Sequence, residues 1–221
     1  MTSLASAPAS AAPSAASIET LADLMERLGN VPLNRVRFHP YPGTAVEQDV
    51  LTAADKGLVC ELVDGVLVEK TMGLQESFLA EVLARLLGNY ADQHDLGFIL
   101  GADGMARLAP GMVRIPDVSF VSWRQFPNRS IPRAPMLNFA ADLAVEVLSP
   151  SNTGREMDRK LHDYFAAGVR LVWYVDPVAR TLQAFTAVDQ GTVLDENQVL
   201  TGDPALPGFM LPVRELFTRL G

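Results

Sequence analysis

The sequence predicts a single α/β domain, α+β in detail, in which a mixed β-sheet is flanked by helices. Three observations predict it. Strand-sized apolar runs alternate with segments of helical period, Asp64-Gly65 separates two β-rich runs, and no linker divides the chain after residue 18. At 221 residues the chain is long enough to bury a substantial core. Its 48% hydrophobic and 20% charged residues exclude a disordered, collagen-like or disulfide-stapled protein. A lone cysteine, Cys60, has no internal partner, so a reducing, cytoplasmic setting is expected. No stretch approaches the roughly 18 consecutive apolar residues of a membrane helix.

The first 17 residues are rich in Ala, Ser and Pro and read as a flexible tail. Ser17 can cap a helix at IETLADLMERLG, where Ile18, Leu21, Leu24, Met25 and Leu28 share a face and Gly29 ends it. Pro32, Pro40, Pro42 and Gly43 mark an irregular arm. Thr44 and Glu47 have the capping-box spacing for a second short helix. LVCELVDGVLVEK, 58–70, is a hairpin about Asp64-Gly65. The longest helix runs from Gln75 to about His94, with Phe78, Leu79, Val82, Leu83, Leu86, Leu87 and Tyr90 on its apolar face. Strands are expected near 97–100, 105–108 and 112–121, then a proline-punctuated loop at 123–138 carrying Arg124, Arg129 and Arg133. A strand at 142–148, a helix at about 155–167, the strand RLVWYVDP, its hairpin partner TLQAFTAV and a closing helix VRELFTRL complete the order.

Several charged residues fall where charge is costly. Along 142–148, Leu143, Val145 and Val147 face one way, and Ala144, Glu146 and Leu148 the other. A carboxylate there must be paired, for which Arg114 is a candidate, or must hold a metal. Asp117 follows Pro116, which marks a bulge or edge. It either hydrogen-bonds nearby backbone or is functional. Two such acids converging from separate strands of one sheet repel unless a divalent cation sits between them, and oxygen-only ligands suit Mg²⁺ or Mn²⁺. Lys160 lies on the flank of the stripe formed by Met157, Leu161, Tyr164 and Phe165. It can snorkel to solvent or deliver its ammonium to the carboxylates. Glu61 either faces solvent at the hairpin edge or joins them; Glu76 and Glu81 are further acids on the long helix. His39, His94 and His162 have no metal-ligand spacing, and GxSxG, GxxxxGK[ST] and GxGxxG are absent.

CELVDGVLVEK, VRIPDVSFVS, DLAVEVLSPSNT and EMDRKLHDYFAAGVRLVWYVDP, in that order, resemble the Uma family of restriction-endonuclease-like proteins, within the PD-(D/E)XK nuclease superfamily. The resemblance runs from about residue 44 to the C-terminus, and 18–43 is similar to an N-terminal extension found in a subset. It implies a restriction-endonuclease-like core of helix, three strands, helix and strand within one domain, 18–221. It also implies Asp117 as the PD aspartate, Glu146 as the (D/E) residue and Glu61 as an additional acid. The superfamily lysine two residues after the second acid is replaced by Leu148, and the resemblance gives its charge to Lys160 on the next helix.

The implied activity is Mg²⁺- or Mn²⁺-dependent endonuclease cleavage of DNA. Asp117, Glu146 and Glu61 would hold the metal, and Lys160 would complete the catalytic set. Ser151, Asn152, Thr153 and Arg155 open the helix and offer a phosphate cradle. A homodimer is the expected assembly. Two alternatives stay open at this point: a degenerate nuclease-fold module that only binds nucleic acid, and a structural homodimer whose acids are merely salt-bridged. The net charge of −8 argues for weak, salt-sensitive binding of DNA, although residues 114–170 carry 8 basic and 6 acidic side chains.

Overall fold

In the computed structural model, Asp64 and Gly65 both take positive φ, 49° and 72°, the twist that a two-residue hairpin turn requires. They join β1 (Cys60–Val63) to β2 (Val66–Glu69) with Val63 opposite Val66. The structure describes residues 18–126 and 128–220; the tail expected at 1–17 lies outside them. The hairpin belongs to a four-stranded sheet of order β2-β1-β5-β4, with β4 at Ala106–Ala109 and β5 at Met112–Arg114.

A second, six-stranded sheet forms the centre of the domain. Its strands are β3 (Gly97–Leu100), β6 (Val118–Ser122), β7 (Leu143–Val147), β8 (Leu171–Asp176), β9 (Thr181–Ala187) and β10 (Gln190–Leu194), in the order β10-β9-β8-β7-β6-β3. Only β7 and β8 pair parallel; the remaining pairs are antiparallel, so the sheet is mixed as expected. One face is covered by α3 (Leu74–Gln93), whose Leu79, Leu83 and Leu87 pack on Phe120, Leu143, Val145 and Trp173. The other is covered by α4 (Gly154–Ala166), whose Met157, Leu161 and Tyr164 pack on Ala144, Val172 and Tyr174. The connection β7–α4–β8 is what permits the parallel pair. α3, β3, β6, β7, α4 and β8 supply the implied order of helix, three strands, helix and strand, with β4 and β5 inserted.

The expected strand 112–121 is two strands in two sheets. The chain leaves the first sheet at Arg114, bends through Ile115-Pro116-Asp117, and enters the second at Val118. Proline cannot donate to a ladder, so the crossing falls where the sequence breaks the ladder anyway. Two helix starts also move. α1 (Leu21–Arg27) is capped by Thr20 and Asp23, and the expected cap, Ser17, lies outside the described residues. α2 (Glu47–Ala54) starts at the Asp49 carboxylate on the Val46 N–H, while the Thr44 hydroxyl donates to the Tyr41 carbonyl. A ribbon of β11 (Val199–Thr201) and β12 (Met210–Pro212), with a closing helix α5 shortened to Arg214–Phe217, completes the α3 side of the core. Among the described residues no helix is long and apolar enough to cross a membrane.

The arm at 18–43 packs Leu24, Leu28, Val31 and Val36 on Val63, Val66 and Val68, covering the edge strand β2.

Candidate active site

Asp117 and Glu146 oppose one another across β6 and β7. The register pairs Val118 with Val145, and the Asp117 N–H donates to the Val145 carbonyl. Parity then sets both side chains on the face covered by α4. Each carboxylate meets its own lysine. Lys160 Nζ is 3.0 Å from Glu146 Oε1, so the flank position on α4 does carry the ammonium to the sheet. Lys70, the residue after β2, places Nζ 2.8 Å from Asp117 Oδ1 and also donates to the Ile115 carbonyl.

Glu61 stands on β1, and the crossing at Arg114–Asp117 brings the first sheet against the second. It is wholly buried and meets three donors. Arg114 lies 2.8 Å from Oε2, while Lys160, at 3.1 Å, and the Ile115 N–H, also at 3.1 Å, meet Oε1. Arg114 thus pairs with Glu61, and with Asp163 of α4, and not with Glu146. The Tyr164 hydroxyl donates to Glu146 Oε1, the oxygen Lys160 already meets.

The electrostatics follow from burial and count. Burial opposes ionisation of Glu61, but the Lys160, Arg114 and Lys70 charges outweigh it and hold the carboxyl at about 2. Burial pushes Glu146 upward; Lys160 counters this, and the Asp117 charge adds to the rise. Burial disfavours the Lys160 ammonium, yet Glu146 and Glu61 together hold it above the usual lysine range. Five carboxylates (Glu61, Asp64, Asp117, Glu146 and Asp163) face four cations (Lys70, Arg114, Arg159 and Lys160) in this network. The cluster is one positive charge short.

The acids read from the sequence, and Lys160, therefore meet in one network, but not as a three-carboxylate cage. Among the described residues no three His, Cys, Asp or Glu side chains are grouped to hold one ion. Glu61 is turned toward Arg114 and Lys160. Sequence reasoning misses Lys70, Tyr164 and Asp163 as members, and offers Arg114 only as a partner for Glu146. Lys70 ends the hairpin motif and is one of three lysines in the chain, with Lys56 and Lys160, but a lysine at a strand end carries no local sign of burial. Glu76 is buried in the first turn of α3, and Glu81 is exposed on the same helix.

The phosphate cradle needs correction. Thr153 caps α4 by accepting from the Glu156 N–H, and its hydroxyl donates to the Gly29 carbonyl. A Cβ on Gly29 would lie 2.6 Å from the Glu156 nitrogen, so the arm sits directly on this helix terminus. Ser151 bonds Thr71 and Ser149, Asn152 bonds Ser149 and Glu156, and Arg155 is exposed. The terminus is filled by the chain itself. Arg35 of the arm binds Glu156 bidentately at 2.7 and 3.0 Å, and donates to the carbonyls of Glu69 and Ser151. The positive excess of 114–170 is likewise mostly taken up. Arg129, Arg159 and Arg170 pair with Asp95, Asp64 and Asp142, leaving Arg124, Arg133 and Arg155 exposed without ion pairs among the described residues.

A family model described as "Uma2: Putative restriction endonuclease" matches residues 47–214. The chain belongs to the Uma2 family. Among solved structures, this Uma2 protein is similar to one described as a "putative nuclease belonging to DUF820" from Anabaena variabilis ATCC 29413. The TM-score is 0.66 at 16% identity, over 73% of this chain and 91% of that one. At that identity the likeness speaks for the fold, and it agrees with the restriction-endonuclease-like architecture. No curated protein matches the chain at a significant level.

Proposed function

We propose that this Uma2 protein is a metal-dependent endonuclease that hydrolyses phosphodiester bonds of DNA. The observation that carries the reading is the Asp117–Glu146 pair, two nearly buried carboxylates set side by side in a cluster one positive charge short. Oxygen donors with an unbalanced negative charge fit a hard divalent cation, Mg²⁺ or Mn²⁺. Asp117 and Glu146 would hold it, with Glu61 acting one step behind by fixing Lys160. The ion supplies charge neutralisation at the phosphoryl oxygens and a more acidic water. In the reaction a water oxygen bonds to phosphorus and the bond to one ester oxygen breaks. The products are a phosphomonoester and a free hydroxyl, with the water's proton passing to the leaving oxygen.

Around that step the chain's own residues have definite tasks. The Val147 N–H fixes Asp117 Oδ2 at 2.7 Å, and Tyr164 with Lys160 fixes Glu146 Oε1. The expected homodimer and the weak, salt-sensitive grip on DNA belong to the same proposal. Cleavage of a plasmid with Mg²⁺ or Mn²⁺, by wild type, Asp117→Asn and Glu146→Gln, tests the reading. We expect losses on the order of 100-fold or more in both variants, with the fold retained by circular dichroism. Undiminished cleavage by Asp117→Asn would remove this site from the reaction. A second reading, a degenerate module that binds nucleic acid without cutting it, is favoured by Leu148 and by the lysine already seated on each carboxylate. It predicts DNA binding indifferent to Mg²⁺ and no metal-dependent cleavage.

A further inference from the structure

We propose that Lys70 is the lysine that meets the substrate phosphate, and that Lys160 is an internal counter-ion that never does. The proposal rests on the nuclease reading above and assigns the lysine role within it.

Lys160 is ruled out for contact by its surroundings. Its side chain is 2% exposed, and its ammonium is shared between Glu61 and Glu146 at 3.1 and 3.0 Å. No other lysine or arginine lies within ion-pair distance of both acids. Withdrawing Nζ toward a ligand would leave Glu146 buried with no cation at ion-pair distance and Glu61 with Arg114 alone, which the low-dielectric interior penalises heavily.

Lys70 sits differently. It follows the last residue of β2, and Thr71, Gly73 and Leu74 beside it are exposed. Its ammonium holds one carboxylate oxygen, Asp117 Oδ1, while Oδ2 keeps its own donor from Val147. Releasing Lys70 toward an anion therefore does not strip Asp117 of partners. Above it, the segment carrying Lys70 touches the loop after β7 through the hydroxyls of Thr71 and Ser151, 2.7 Å apart. That contact is exposed and neutral, so it can part at little cost. Lys70 thus lies beside the first of the two proposed metal-holding acids, with 9% of its side chain exposed, and the phosphodiester would enter past the Thr71–Ser151 contact. An ammonium placed there stabilises charge on the non-bridging phosphoryl oxygens.

The test uses the full chain without metal, and a short fluorescent DNA duplex as probe. Amine acetylation followed by mass spectrometry reads the three lysines separately. We expect Lys56, which is exposed, to react with or without DNA, Lys70 to react and be protected by DNA, and Lys160 to stay unmodified. Fluorescence anisotropy against salt gives the second readout. Lys70→Gln should lower the slope of log affinity against log salt by about 1, and Lys70→Arg should keep it. The double variant Lys70→Gln/Asp117→Asn should show the same lowered slope, which separates a lost phosphate contact from repulsion by a freed Asp117.

DNA binding by wild type with no protection of Lys70, or with an unchanged slope in Lys70→Gln, overturns the assignment and leaves the nuclease reading standing. No DNA binding at all by the folded wild type overturns both. The acetylation arm needs no variant to fold.

Discussion

Two lysine–carboxylate pairs lie in one network, and they differ in almost everything except chemistry. The inner pair, Lys160 with Glu61 and Glu146, is enclosed by α4 and both sheets. The outer pair, Lys70 with Asp117, closes the end of a hairpin beside exposed backbone, with 9% and 6% of its side chains exposed. In the inner pair one ammonium serves two acids, so its loss is felt twice. In the outer pair the acid has a second donor on its other oxygen. Burial converts the same residue types into a fixed internal counter-ion in one place and a replaceable contact in the other.

The largest effect that can break this contrast is on stability. Lys160→Met leaves two carboxylates buried without their shared cation, and should destabilise by roughly 3–5 kcal/mol. Lys70→Met should cost about 1–2 kcal/mol, because Asp117 retains the Val147 N–H and water can approach it. Urea unfolding of the two variants beside wild type gives the comparison. Equal losses would mean that the outer pair is as closed as the inner.

How far the sequence reached can be judged from these same residues. The Asp64-Gly65 turn, the apolar stripe of α4 and the break at Pro116 were legible because each is a local signal. Glu61, Asp117, Glu146 and Lys160 were legible as candidates because charge in an apolar strand or on a helix flank is anomalous wherever it occurs. Lys70 gave no such anomaly. A lysine ending a strand reads as solvated, and its partner is 47 positions away, across a chain crossing between sheets that alternation alone does not reveal. The pairing of Arg114 with Glu61 instead of Glu146 depends on that same crossing. The filling of the α4 terminus by Gly29 rests on a contact between residues 124 positions apart, with nothing local to announce it.

A second effect, about as large as a buried ion pair, concerns acid. Glu61 has its carboxyl held at about 2, below its ordinary range, because Lys160, Arg114 and Lys70 outweigh its burial. A depressed carboxyl stabilises the fold above its ordinary value, and that contribution is lost as pH falls from about 4.5 toward 2. For this shift the loss is on the order of 3 kcal/mol. Glu146 runs the other way. Its carboxyl is raised, so stability falls as pH rises above the ordinary carboxylate range and Glu146 ionises. Unfolding free energies across pH should therefore lose their acid limb in Glu61→Gln, and their fall on the higher side in Glu146→Gln. An acid limb of the same depth in Glu61→Gln would show that the inner pair's charges are not coupled to folding.

The smallest effect is the sharpest comparison, since it removes the same atom from both places. Tyr164→Phe deletes a hydroxyl that donates to Glu146 Oε1 inside the inner pair. A hydrogen bond to a buried charged oxygen is worth about 1.5–3 kcal/mol, and Lys160 is left as the side-chain donor to that oxygen. Thr71→Val deletes the exposed hydroxyl that meets Ser151 beside the outer pair, in a side chain of nearly the same shape. Water and the neighbouring Ser149 hydroxyl can satisfy Ser151, so the loss should stay under about 0.5 kcal/mol. If urea midpoints moved as much for Thr71→Val as for Tyr164→Phe, the outer segment would be a rigid closure, and the entry route assigned to the phosphodiester would have to lie elsewhere.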